Sequence, residues 1–225
     1  MMEHISWWEQ IGSTNAPALP QAWAMQLALQ LGWALVLALL GTVLASRLSL
    51  PARRLLAAAL ALWTLLPGTL TPDYWLGLAF HAPSLSAMLL CLVFLRRLLF
   101  PAQRGLQLPI AVAARPTTAG TVVLVASVLL GYALLLDTFA VLPLQLYAWG
   151  FSPALLLGLL AVSLLPWVLR GRARGDKGLA LWVVPSALLL FAATRLPTGN
   201  VWDAVLDPWL WLVLQVVLLR RLLGR

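Results

Sequence analysis

Few side chains in this sequence can do chemistry, and each of them stands beside a long apolar run. His81 with Asp73 or Asp203 would supply an imidazole and a carboxylate, the pair a general base needs. These three are the candidate catalytic residues. The competing reading makes His81 an interfacial residue bonded to water or to backbone. Asp203 and Asp207 stand four apart and would share one helical face. A divalent cation there would lack a third and a fourth ligand, so no metal is expected. Asp207-Pro208 reads more simply as an N-cap followed by proline at the first helical position.

Arg195 is the other residue that invites a reason. It is the one Lys or Arg outside the basic clusters described below. It would form an ion pair with Asp137, Asp203 or Asp207, or hold an anion such as a phospholipid headgroup. The alternative is an arginine at a helix end that snorkels to the interface. The chain has no glycine-rich phosphate loop and no HExxH, CxxC or CxxCH motif. No serine or cysteine stands in a nucleophile motif. Cys91 is the single cysteine, which excludes an intrachain disulfide and a cysteine-based metal site. Two histidines, one of them His4 near the N-terminus, are too few for an intramembrane bis-histidine haem. No cofactor is expected.

The elements that must position these residues are membrane helices. The 225 residues are 62% hydrophobic and 10% charged, whereas soluble domains carry about 25% charged residues. Polar surface for a water-soluble fold is lacking, so lipid is the expected solvent. The net charge of +8 would suggest nucleic acid in a soluble protein, but here it lies in short loops flanking apolar runs. No nucleic-acid partner is expected.

Fourteen of the fifteen basic residues fall in four groups: Arg47/Arg53/Arg54, Arg96/Arg97/Arg104/Arg115, Arg170/Arg172/Arg174/Lys177 and Arg220/Arg221/Arg225. Glu3, Glu9, Asp73, Asp137, Asp203 and Asp207 fall between the groups, and Arg195 and Asp176 break the alternation. Basic loops stay in the cytoplasm, so the alternation gives a topology with the N-terminus outside and the C-terminus inside. Loops 47–54, 100–116 and 170–177 face the cytoplasm, and loops 71–79, 140–151 and 196–204 face out. Residues 1–20 contain no Lys or Arg, so they do not read as a cleavable signal.

The expected fold is therefore an all-α polytopic bundle. An outer tail, 1–21, carries Trp7-Trp8 in the headgroup layer and precedes one transmembrane domain, 22–225. Seven spans are expected at 22–46, 55–70, 80–99, 117–139, 152–169, 178–195 and 205–222. Trp75 to Arg96 and Trp149 to Arg170 are each 21 residues, and Trp202 to Arg220 is 18. On a helix these are about 27 to 32 Å, one hydrocarbon thickness. Trp75, Tyr147, Trp149, Trp202 and Trp209 would thus form an outer aromatic interface. The three hairpins behind this spacing read either as an internal repeat or as the common imprint of the bilayer. Gln26 and Gln30 share a face of the first helix and would bond a neighbouring helix. Ala57-xxx-Ala61 and Ser127-xxx-Gly131 are spacings that let helices approach closely.

The membrane interior is almost free of ionisable groups, which disfavours proton relays and ion pathways. The function expected first is a non-catalytic integral subunit or assembly partner of a larger membrane complex. The second is a small-solute or lipid transporter using an outer Arg/Asp/Trp mouth. The third is an enzyme acting on a lipid at the outer leaflet. Membrane lipids and other membrane subunits are the expected partners. High Ala, Leu and Arg usage fits a bacterial inner membrane.

Overall fold

The computed structural model describes residues 19–100, 118–141, 145–170 and 180–223. Readings that fall on the tail around Trp7-Trp8, on Arg104, Arg115, Arg172, Arg174, Lys177 and Asp176, and on Arg225 lie outside these residues. Every regular element is helical, and no strand occurs among the described residues.

The helices are α1 (Ala22–Leu44), α2 (Leu50–Leu65), α3 (Pro72–Phe80), α4 (Leu85–Leu99), α5 (Thr118–Thr138), α6 (Leu146–Trp149), α7 (Pro153–Arg170), α8 (Ala180–Thr194), α9 (Val201–Val205) and α10 (Pro208–Leu222). Leucine and alanine, strong helix formers, fill the long ones. Proline opens α3, α7 and α10, where its missing N–H costs nothing. After α1 the chain repeats one pattern three times: a long helix, a short helix bearing tryptophan, and a second long helix. The units are α2-α3-α4, α5-α6-α7 and α8-α9-α10, with Trp75, Trp149 and Trp202 on the short members. The second long helix of each unit starts just after Ser84, Ser152 or Asp207.

Two helical boundaries differ from the sequence reading. The stretch 80–99 is not one helix, because the chain breaks between Phe80 and Leu85. His81 leaves the helical region at φ 58°, Pro83 cannot continue the α3 hydrogen bonds, and Ser84 caps a fresh helix by accepting from the Ala87 N–H. The second helix begins at Leu50 rather than 55 and ends at Leu65, just before Pro67.

α1 and Thr121–Thr138 of α5 are long and apolar enough to cross a membrane, by length and composition. Pro153–Leu165 and Trp182–Thr194 are apolar but shorter. α4, α8 and α10 have 15 residues each, about 22 Å, against a hydrocarbon core of about 30 Å. Among the described residues, then, two helices have the length and composition of a full span. The short helices take up residues that the sequence reading gave to spans and loops.

Two apolar clusters hold the helices. The first surrounds α8, whose Ala187, Leu188 and Phe191 are wholly buried against Leu85 of α4, Leu156 of α7, and Val201, Trp202 and Ala204 of α9. The second joins Ala38 of α1, Ala57 of α2, and Leu95 and Leu99 of α4, with Ala61 packed on it. α4 belongs to both clusters and so couples the two halves of the chain. α10 packs on α5, where the Trp211 indole covers Gly131 and donates to the Val128 carbonyl at 3.1 Å. A side chain at position 131 would occupy the ring's place, which is the close approach that the Ser127-xxx-Gly131 spacing allows. Large apolar side chains such as Leu55, Leu129, Leu157 and Val162 face outward.

Candidate functional site

Polar side chains concentrate where α3, α6 and α9 meet the starts of α4 and α10. Asp207 is buried and caps α10, its Oδ1 accepting from the Leu210 N–H at 2.8 Å. Its Oδ2 accepts from the Ser84 N–H at 2.9 Å and from the Ser84 hydroxyl at 2.6 Å, across 123 residues of sequence. The same hydroxyl accepts from Ala87 at the start of α4. One carboxylate therefore lies at the N-terminal ends of two helices, where the aligned peptide dipoles favour negative charge. Ser84 has no exposed surface, so this serine–carboxylate pair is closed to a substrate.

The second network ties α9 to α6. Asn200 caps α9 by accepting from the Trp202 N–H at 2.9 Å, and its Nδ2 donates to the Tyr147 carbonyl at 2.9 Å. Trp202 Nε1 donates to the Leu146 carbonyl, and the Val201 N–H to the Gly150 carbonyl, both at 2.9 Å. Asp203 Oδ2 accepts from the Tyr147 phenol at 2.8 Å and from the Thr198 hydroxyl at 2.5 Å. Asp137, in the last turn of α5, accepts from the Tyr147 N–H at 2.8 Å. Trp33 of α1 donates its Nε1 to the His81 carbonyl at 2.9 Å, and Phe80 meets Trp209 edge-on at 4.9 Å.

Burial, and then the Asp203 carboxylate, raise the Tyr147 phenol above its ordinary range. It is therefore a donor at every physiological pH. A raised folded-state value means that its bond contributes fully below the unfolded phenol's pKa of about 10 and is lost only as pH rises through the higher folded value. Tyr147→Phe should lower stability by about 0.5–1 kcal/mol, and by the same amount at pH 7 and pH 9. Thermal unfolding of the two proteins in detergent at both pH values checks this. A difference that vanishes by pH 9 would contradict it.

No family model matches the chain, and no curated protein or solved structure matches it significantly.

The structure places the expected site residues as follows. His81 is exposed, and its ring meets no carboxylate among the described residues. Asp73 lies eight residues earlier in α3, about 12 Å along the axis. Asp73 is buried, and its Oδ1 has no hydrogen-bond partner. Asp203 is engaged by Tyr147 and Thr198. The three do not form an acid–base group. Arg195 makes no ion pair among the described residues. Asp137, Asp203 and Asp207 are occupied by N–H and O–H donors, and its guanidinium lies 5.5 Å over the Phe191 ring. Among the described residues there is no group of three His, Cys, Asp or Glu side chains that could hold a metal.

Trp75, Trp149 and Trp209 are exposed and Tyr147 nearly half so, but Trp202 is a core side chain with 6% of its surface accessible. Its indole N–H and its apolar body are both used inside the fold. Gln26 is exposed, and neither it nor Gln30 bonds another helix among the described residues. The residues that the sequence reading passed over are Ser84, Thr198 and Trp33, and it gave Asn200 no role beyond a place on the outer surface. Ser84 before an apolar run and Asn200 after Gly199 were visible as capping signals. Their partners on other helices were not.

Proposed function

We propose that the chain is a non-catalytic integral membrane protein, a subunit or assembly partner of a larger complex. In this reading it crosses the bilayer seven times. The end carrying Asp73, Asp137, Asp203 and Asp207 faces out, and the end carrying Arg53, Arg54, Arg96, Arg97, Arg220 and Arg221 faces the cytoplasm. The observation that supports it most is how the carboxylates are used. Asp137, Asp203 and Asp207 all accept hydrogen bonds that hold segments of this chain together. A polar cluster spent on its own scaffold has little left for a substrate. The exposed Trp75, Trp149 and Trp209 then form an aromatic outer rim for headgroups or a partner subunit. The helices shorter than the hydrocarbon core are accommodated by local thinning, with α3, α6 and α9 lying in the outer headgroup layer.

Two experiments test this reading. Extraction into native nanodiscs followed by mass spectrometry should recover a stoichiometric protein partner. A lone chain that retains a small solute would move the reading to transport. The topology is tested by single cysteines in a Cys91→Ala background. Leu70→Cys, on the strongly exposed turn before α3, should react with an impermeant maleimide in intact cells. Leu48→Cys, between α1 and α2, should react only after lysis. The reverse pattern would invert the topology.

A further inference from the structure

In the proposed embedding α5 and α10 cross the bilayer side by side, and one polar pair lies between them at hydrocarbon depth. The Tyr132 hydroxyl donates to Gln215 Oε1 at 2.9 Å. Gln215 stands eight residues after Asp207 and five before Arg220, about 12 Å and about 8 Å along the helix axis. Tyr132 is 45% exposed and Gln215 is partly exposed. The Gln215 amide nitrogen bonds nothing among the described residues. A tyrosine hydroxyl both donates and accepts, so turning the amide over leaves its oxygen open instead. Acyl chains offer neither donor nor acceptor, so lipid supplies no partner for the open half of this amide.

The apolar residues beside the pair form a seam. On α5 Leu129, Tyr132 and Leu136 follow one another at intervals of three and four, and on α10 Leu212, Gln215 and Leu219 do the same. The four leucines are all exposed. This is the spacing at which helices pack along a shared line, and a lone polar residue in such a line fixes the register. No side chain of α10 is buried within the chain itself.

We infer that this face joins two copies of the chain, with α10 packed against α10 of the second copy about a two-fold axis along the membrane normal. Each Gln215 Nε2 then donates to Gln215 Oε1 of the other copy, which has a second lone pair beside the one that Tyr132 uses. The amide selects the partner. It carries a donor and an acceptor at one point, so a two-fold operation satisfies both at once. The assignment rests on the membrane embedding proposed above and names a second copy as one partner in the complex.

The test is oxidative cross-linking of single cysteines in native membranes, using the full chain in a Cys91→Ala background. Residues beside a two-fold axis meet their own copies, so Leu212→Cys and Leu219→Cys should each give a disulfide-linked pair of chains. Leu157→Cys, also exposed but on α7, should not. Adding Gln215→Leu should weaken association by about tenfold or more, read as the cross-linked fraction on dilution into added lipid. Two interhelical bonds are lost, and each carries a factor of roughly 3 to 30. Tyr132→Phe keeps the amide pair and should leave cross-linking unchanged. The cysteine comparison stands even if Gln215→Leu does not fold. No product at Leu212→Cys and Leu219→Cys, or an equal one at Leu157→Cys, would overturn the interface. A product joining the chain to a different protein would overturn the choice of partner, and unaltered association of Gln215→Leu would overturn the role of the amide. Resistance to alkaline extraction from membranes is measured in parallel. If the chain is washed out, the membrane reading itself fails. If it stays embedded without cross-linking, only the pairing of copies fails.

Discussion

Replacing Asp207 with asparagine should cost about 2–4 kcal/mol and lower the unfolding midpoint in detergent more than any other single polar substitution at this end of the protein. The carboxylate accepts from three donors, and asparagine has only one oxygen. If that oxygen stays with Leu210, the amide NH₂ faces the Ser84 N–H, donor against donor. The Ser84 hydroxyl can rotate, but it already accepts from Ala87, and the backbone N–H cannot turn away. If the amide flips, α10 loses its cap, worth about 1 kcal/mol. Ser84→Ala should cost less, about 1–2 kcal/mol, because it removes a donor together with the α4 cap and leaves the carboxylate two backbone bonds. The two changes share a bond, so the double variant should fall short of their sum by about 1 kcal/mol or more. Strict additivity would mean that the contact between the starts of α4 and α10 contributes nothing.

Gly150→Ala should destabilise the protein by about 3 kcal/mol, while Gly158→Ala, eight residues on, should stabilise it slightly. Gly150 ends α6 in an ordinary helical conformation, so backbone strain is not the cause. A methyl group there would lie 1.8 Å from Asn200 Oδ1 and 2.6 Å from Trp202 Cδ1. Asn200 cannot yield, because its oxygen is held by the Trp202 N–H and its nitrogen by the Tyr147 carbonyl. The clash therefore either forces α9 off α6 or breaks both bonds, and overpacking alone costs about 1–3 kcal/mol. Around Gly158, in the middle of α7, a methyl meets nothing within 4 Å. There the substitution only removes backbone entropy from the unfolded chain, a gain of about 0.5–1 kcal/mol. Equal effects at the two positions would show that α6 and α9 do not touch. Melting curves of the purified variants, followed by tryptophan emission, distinguish these outcomes.

The helical class, the approximate ends of α1, α5, α7 and α8, and the start of α10 at Pro208 were all legible in the sequence. Each depends on composition or on signals a few residues apart: apolar run length, charged flanks, Asp-Pro at a helix start. The tryptophan-to-arginine spacing marked the three units but not their build: each tryptophan sits on a short helix separate from the long one that carries the arginine, so helical rise does not convert that spacing into one length. The break at residues 81–84 was written locally too, in Pro83 and Ser84, but the unbroken hydropathy around it concealed it. What only the tertiary structure decided is which polar groups meet. Asp207 and Ser84 are 123 residues apart, and no periodicity relates them. A carboxylate in sequence is equally a cap, an ion-pair partner or a catalytic base, and its role depends on which donors packing brings to it. An ion pair with one of these carboxylates was one of three readings open to Arg195. Packing supplied N–H and O–H donors to all three and left the arginine over Phe191. Trp202, which reads as a surface anchor by its type and spacing, became core because α9 folds back between α6 and α8, where a neighbouring helix covers its indole and supplies the carbonyl that it needs.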